Sequence, residues 1–171
     1  EYAYAIFGTY TSLVYISTLL GGYMADKIIG YRYAVLIGAL LMTLGHGSMA
    51  FETPFFIYLG LTLLVFGSGF FKPNITSIIS GMYKGNDEKK DGAYTIFYMG
   101  VNAGAFLGIL LCGYIGEQVG WRWGFGLAGI FMLFGLLQFW FAQEIFGDIG
   151  TKPLTNDIEN SNTASIEPKL N

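Results

Sequence analysis

Residues 55 to 82, FFIYLGLTLLVFGSGFFKPNITSIISGM, decide the fold. The stretch is apolar, and it exceeds the about 20 residues that a helix needs to cross a hydrocarbon core ~30 Å thick. It carries a single charge, Lys72. A cation near the bilayer midplane costs roughly 2.5 to 3.5 kcal/mol even on the mildest insertion scale, so such groups are normally paired and functional. Three and four positions away stand Ser68, Gly69, Ile75 and Thr76, so no carboxylate of its own helix shares its face. All twelve Asp and Glu fall in the other loops, at segment ends or in the tail. The partner is therefore expected from polypeptide outside this sequence, and a cation awaiting an anion marks a coupling or substrate site. The plainer reading is a snorkelling lysine. Lys72 stands well before Lys84, however, ~18 Å along a helix, farther than a lysine stem reaches.

Four more apolar runs share this character: residues 2 to 24, 33 to 51, 93 to 115 and 122 to 146. Among 171 residues, 53% are hydrophobic and only 12% charged, a membrane-protein profile. None of the runs reads as a strand. The 25 glycines, which would signal loops in water, let helices pack backbone to backbone in lipid. The expected fold is thus an all-α membrane protein with five transmembrane helices. The lone Cys112 rules out an internal disulfide framework, and no basic patch of the kind that follows phosphates is present, so nucleic acid is not an expected partner. The chain begins at Glu1 without a basic leader, and it is read as starting in mid-protein.

Orientation follows from the positive charges, which favour the cytoplasmic side. Lys27 and Arg32, then Lys84, Lys89 and Lys90, then Lys152 and Lys169 alternate with two connections, 52 to 54 and 116 to 121, that hold none. The lipid bilayer is the surrounding medium, with Glu1 outside and the tail in the cytoplasm. Residues 1–147 are expected to form the helical unit and 148–171, polar and Asn-rich, a mobile solvated linker.

Between the first two spans, GGYMADKIIGYR (21–32) sets Gly22, Asp26, Lys27, Gly30 and Arg32 at the membrane boundary. This order resembles the signature loop of the major facilitator superfamily. Such a loop works as a gate when its acid accepts hydrogen bonds from the positive N-terminus of another helix while its bases bridge neighbours. The same charges would also serve as topological anchors. Further on, Pro73 removes a backbone donor at a point loosened by Gly67 and Gly69, so a kink is expected beside Lys72. In the fourth span, Gly100, Gly104 and Gly108 form a strip for close helix approach, while Tyr98 and Asn102 share a face suited to a polar ligand or to helix association.

Taken together, GGYMADKIIGYR, ALLMTLGHG, GSGFFKPNITSIISGMY and DGAYTIFYMGVNAGAFLG resemble the proton-dependent oligopeptide transporter family, a branch of the major facilitator superfamily. The resemblance covers residues 1 to about 150. It implies helices two to six of an N-terminal six-helix bundle, with the first helix and the C-terminal bundle of the same protein as missing partners. It further implies that Lys72 pairs with a glutamate of the first helix, takes part in proton coupling and binds a peptide carboxylate. By the same resemblance, Tyr15, Tyr98 and Asn102 line the site for di- and tripeptides, and Asp26 and Arg32 take gating positions. The implied activity is proton symport across the cell's inner (plasma) membrane, with no cofactor other than the coupling proton. Gly8 stands where animal members carry a histidine, which matches the bacterial type. His46 is assigned to core packing. Two other readings remain: a major facilitator carrier of nitrate, a sugar or a drug, and a non-transporting membrane scaffold. An enzyme is not expected, since the sequence shows no nucleophile triad, metal cluster or phosphate loop.

Overall fold

Local chemistry sets the helix boundaries in the computed structural model, which describes residues 2–153. Five helices follow one another: α1 (Tyr2–Met24), α2 (Tyr31–Met49), α3 (Pro54–Met82), α4 (Asp87–Gln118) and α5 (Trp121–Phe141). Among the described residues there is no strand. A π-helical turn, Ala25–Ile29, extends α1 and stops at Gly30, whose φ of 80° favours glycine. Pro54 opens α3 where its missing N–H is no loss. The Asn86 side chain accepts a hydrogen bond from the Lys89 amide, and Asp87 and Glu88 occupy the positive first turn of α4. That cap carries α4 back to Asp87, ahead of the start expected at residue 93. α3 runs on through Pro73 as one element.

Four segments are long and apolar enough to cross a membrane: Tyr2–Ile29, Pro54–Met82, Asp87–Gln118 and Trp121–Phe146. α2 is more polar, with Thr43, His46 and Ser48 in its second half. Its 19 residues still extend for ~28 Å, close to the core thickness. The polarity is accommodated because α2 is the most enclosed helix, burying Arg32, Ala34, Val35, Gly38, Ala39 and Gly45 among others. A helix that shows less surface to lipid needs less apolar surface.

α3 stands between α1 and α2, α5 packs on the far side of α2, and α4 leans on α5 with little contact to α3. The first three helices meet backbone to backbone. Against α2, a Cβ at Gly38 would lie 2.7 Å from the Gly67 carbonyl oxygen, and seven residues on, Gly45 faces Gly60 in the same antiparallel register. Against α1, Gly21 abuts the Gly69 carbonyl, and the Ser17 hydroxyl donates to the Val65 carbonyl at 2.8 Å, a parallel register. Lipid tails compete equally for apolar side chains, so helix association here depends on close packing and such interhelical hydrogen bonds. The strip expected to serve this purpose, Gly100, Gly104 and Gly108, makes no such close approach among the described residues, since a Cβ at any of the three would meet nothing within 4 Å.

At the end opposite the lysine-rich loops, the Glu52 carboxylate accepts a hydrogen bond from the Arg122 amide at 2.7 Å. An acid at the N-terminus of α5 compensates the helix dipole and ties the α2–α3 connection to α5. The glycine contacts make a direct prediction. Gly38→Val places atoms against backbone that cannot rotate away, and we expect a loss of about 1–3 kcal/mol, read as a lower Tm in detergent. Gly135→Ala, at a position with nothing within 4 Å, should leave Tm unchanged or raise it.

Candidate functional site

The loop after α1 is built around its glycines. Gly30 donates its amide to the Ala25 carbonyl at 2.9 Å, closing the π-turn. A Cβ on Gly30 would lie 2.9 Å from the carbonyl oxygens of Gly150 and Thr151, so this corner is pressed against the chain that follows α5. Arg32 then grips that chain. Its backbone amide donates to the Gly150 carbonyl at 2.9 Å, its Nε to the Ile149 carbonyl at 2.7 Å, and its Nη2 to the Gly147 carbonyl. The guanidinium also lies over the Phe146 ring, 5.6 Å from its centroid. Arg32 is only 6% exposed, and among the described residues its charge is balanced by carbonyl dipoles rather than by an acid. The Gly147 carbonyl caps the short 3-10 extension Ala142–Phe146, the negative end of a helix, where a cation is favoured, and those of Ile149 and Gly150 follow it.

The other members of the loop are less engaged. Lys27 rests on the Tyr23 ring at 5.0 Å. Asp26 lies near Tyr31, whose hydroxyl is pushed up to about 12, first by burial and then by this neighbouring carboxylate. A Cβ at Gly22 would lie 3.9 Å from the Pro73 side chain, so this end of α1 lies close to the Lys72 turn of α3. Arg32 therefore bridges the start of α2 and the segment that follows α5. Asp26, in contrast, accepts no hydrogen bond from a helix N-terminus among the described residues.

Lys72 is exposed, and no salt bridge forms among the described residues. Tyr98 and Asn102 lie exposed on α4, and Tyr15, 72% exposed, on α1. α4 buries only Gly116, so its inner face has no partner here. Its register is nevertheless fixed by one bond: the Tyr94 hydroxyl donates to the Thr76 carbonyl of α3 at 3.0 Å. Thr76 is one turn after Lys72, and Tyr94 one turn before Tyr98, so in this antiparallel pair Tyr98 stands level with Lys72 and Asn102 level with Ser68. Tyr94 and Tyr98 stack at 6.4 Å, while the Asn102 amide donates to the Tyr98 carbonyl at 2.8 Å. Lys72, Tyr98 and Asn102 thus fall at neighbouring levels of the α3–α4 pair. Among the described residues the Lys72 ammonium bonds to neither Tyr98 nor Asn102, which are linked to each other only through the Tyr98 carbonyl, and Tyr15 is not joined to them by a hydrogen bond.

Two buried polar side chains near this site were not singled out from the sequence. Asn74, 1% exposed, donates its amide to the Phe70 carbonyl at 2.7 Å and to the Gly21 carbonyl of α1 at 3.3 Å. Ser17 sits one turn before Gly21 and bonds Val65. Both hold α1 to α3 beside Pro73, which cannot serve the Gly69 carbonyl. The Lys-Pro-Asn string contains the signal, because an amide directly after a helical proline is placed to bond carbonyls of the preceding turn. An apolar cavity of about 870 Å³ lies elsewhere, between α4 and α5 against His46. His46 packs there beside Gly129 of α5.

A family model described as the POT family matches residues 32–166. The chain belongs to the POT family. Curated relatives agree: the Di-/tripeptide transporter of Lactococcus lactis subsp. lactis (strain IL1403) is 37% identical over 155 residues, covering 88% of this chain and 31% of the relative. The Peptide transporter YePEPT of Yersinia enterocolitica subsp. palearctica is 41% identical over 142 residues, covering 81% and 28%. Among solved structures, a mutant of the peptide transporter POT in complex with alafosfalin superposes with a TM-score of 0.83 at 35% identity, covering 95% of this chain and 35% of that one. The POT chain described here therefore spans about a third of the length of the curated relatives it matches. Its fold is that of a multi-pass membrane protein of this family.

Arg32 yields the prediction for this site. Arg32→Ala should cost about 1.5–3 kcal/mol, the range for hydrogen bonds to a charged group, and lower Tm accordingly. Arg32→Lys, which keeps the charge but loses the planar fork, should fall well short of wild type. Equal melting of Arg32→Lys and wild type would reduce the grip to charge alone.

Proposed function

We propose that the complete protein imports di- and tripeptides by proton-coupled alternating access in the cell's inner (plasma) membrane. The observation that supports this reading is the exposed Lys72 of a POT-family chain, without a salt bridge among the described residues and level along α3 with Tyr98 of α4. The names of the curated relatives, which are peptide transporters, support peptides over nitrate, sugars or drugs. In the complete protein, a glutamate outside this sequence pairs with Lys72. Protonation of that glutamate frees the ammonium to hold the peptide carboxylate, so proton and peptide bias the same rocking equilibrium. Tyr15, Tyr98 and Asn102 supply hydrogen bonds to the peptide, and the loop containing Gly22, Asp26, Lys27, Gly30 and Arg32 gates the cytoplasmic side. The tail is cytoplasmic. The protein carries its substrate rather than transforming it, and the proton is its only coupling partner.

In liposomes holding the full-length protein, Lys72→Ala should reduce proton-driven dipeptide accumulation to background while expression and helix content persist. Undiminished uphill accumulation by that variant would overturn the proposal. Tyr15→Phe and Asn102→Ala should each weaken dipeptide binding about five- to tenfold, as expected for one lost hydrogen bond. Competition titrations identical to wild type would remove these residues from the site.

A further inference from the structure

On the lysine-rich side, away from Lys72 and bordering the loop after α1, two cavities of mixed lining and about 520 Å³ each share wall residues. Both are bounded by Tyr31 at the start of α2 and by Ser77, Gly81 and Lys84 at the end of α3. One is completed by Asp148 and Lys152 of the chain that Arg32 grips, the other by Ser80, Asp87 and Lys90 around the start of α4. Four separate segments thus converge here, and the grip of Arg32 on Gly147 and Ile149 holds the last of them in place.

The lining carries three lysines against two aspartates, and no ammonium is within salt-bridge distance of a carboxylate among the described residues. The hydroxyls of Ser80 and Tyr83 have no hydrogen-bond acceptor among the described residues either. Unpaired ammonium groups and free hydroxyl donors around a concave wall suit a tetrahedral oxyanion with several acceptor oxygens. Depth narrows the choice of ligand. α3 ends at Met82 and α4 begins at Asp87, so the cavities lie at the ends of two membrane-crossing helices, the level of lipid headgroups. Basic pockets in this position recognise headgroup phosphates, with about 1 kcal/mol for each lysine near the surface.

We propose that these joined cavities hold the headgroup phosphate of an anionic phospholipid from the leaflet on the lysine-rich side. Lys84, common to both, is the central contact, and Lys90 and Lys152 flank it. The site does not depend on which solute the protein carries.

The test uses the full-length protein, purified in detergent and offered phosphatidylglycerol, phosphatidylcholine or glycerol phosphate, with retained lipid counted by native mass spectrometry and Tm followed in parallel. Wild type should retain phosphatidylglycerol over phosphatidylcholine and melt higher with it. Lys84→Gln and Lys152→Gln should each weaken retention roughly fivefold, and Lys84→Arg should restore it. Lys89→Gln, adjacent on α4 but outside both cavities, should behave as wild type. Protection by glycerol phosphate alone, abolished by Lys84→Gln, would keep the phosphate site and overturn the lipid as its source. Equal retention of the two lipids, or an equal loss in Lys89→Gln and Lys84→Gln, would overturn the site itself.

Discussion

Direct backbone contact between α3 and its two neighbours governs the described structure. In lipid, apolar side chains gain little by meeting one another, and helices associate where their main chains can come close. Gly60 and Gly67 give α3 that approach to α2, and Gly69 gives it to α1. The consequence reaches beyond stability. Once Gly67 and Phe71 are committed to α2, and Val65 and Gly69 to α1, the rotation of α3 about its axis is settled and Lys72 is left exposed. A bulkier residue at any of these glycines would alter where the ammonium points as well as how firmly the helices hold.

Much of this architecture is legible in the residues. Apolar run length and the Gly30 break place five helices, whereas the Asn86 cap, not read from the sequence, starts α4 at Asp87, ahead of the apolar run. The second half of α2 shows why hydropathy alone falls short: its polar residues are tolerated because the helix is enclosed, and enclosure is a tertiary property. Glycine spacing misleads in a related way. Gly100, Gly104 and Gly108 form the regular strip, yet the close contacts use Gly21, Gly38, Gly45, Gly60, Gly67 and Gly69. Spacing shows which residues share a face, but it does not say which helix that face will meet.

The site was legible in the same partial way. Lys72 is conspicuous because the cost of a lone cation in lipid can be read from the sequence. Its level relative to Tyr98 and Asn102 cannot be read there, because it depends on one bond from Tyr94 to the Thr76 carbonyl. A tyrosine donating to a main-chain oxygen leaves no pattern of paired residue types. The same holds for Arg32, whose partners are carbonyls contributed by whatever residues follow α5. Asn74 and Ser17 also bond to main chain, and the carbonyls they use, of Gly21, Phe70 and Val65, have no side-chain signature.

The Arg32 grip bears on mechanics. A polypeptide leaving α5 would ordinarily swing on a loose hinge, but here its first residues are fastened at several oxygens to the base of α2. The exit of the chain from α5 is thereby fixed to the start of α2, the most enclosed helix of the described bundle, so a displacement of residues 147–150 would act directly on that helix.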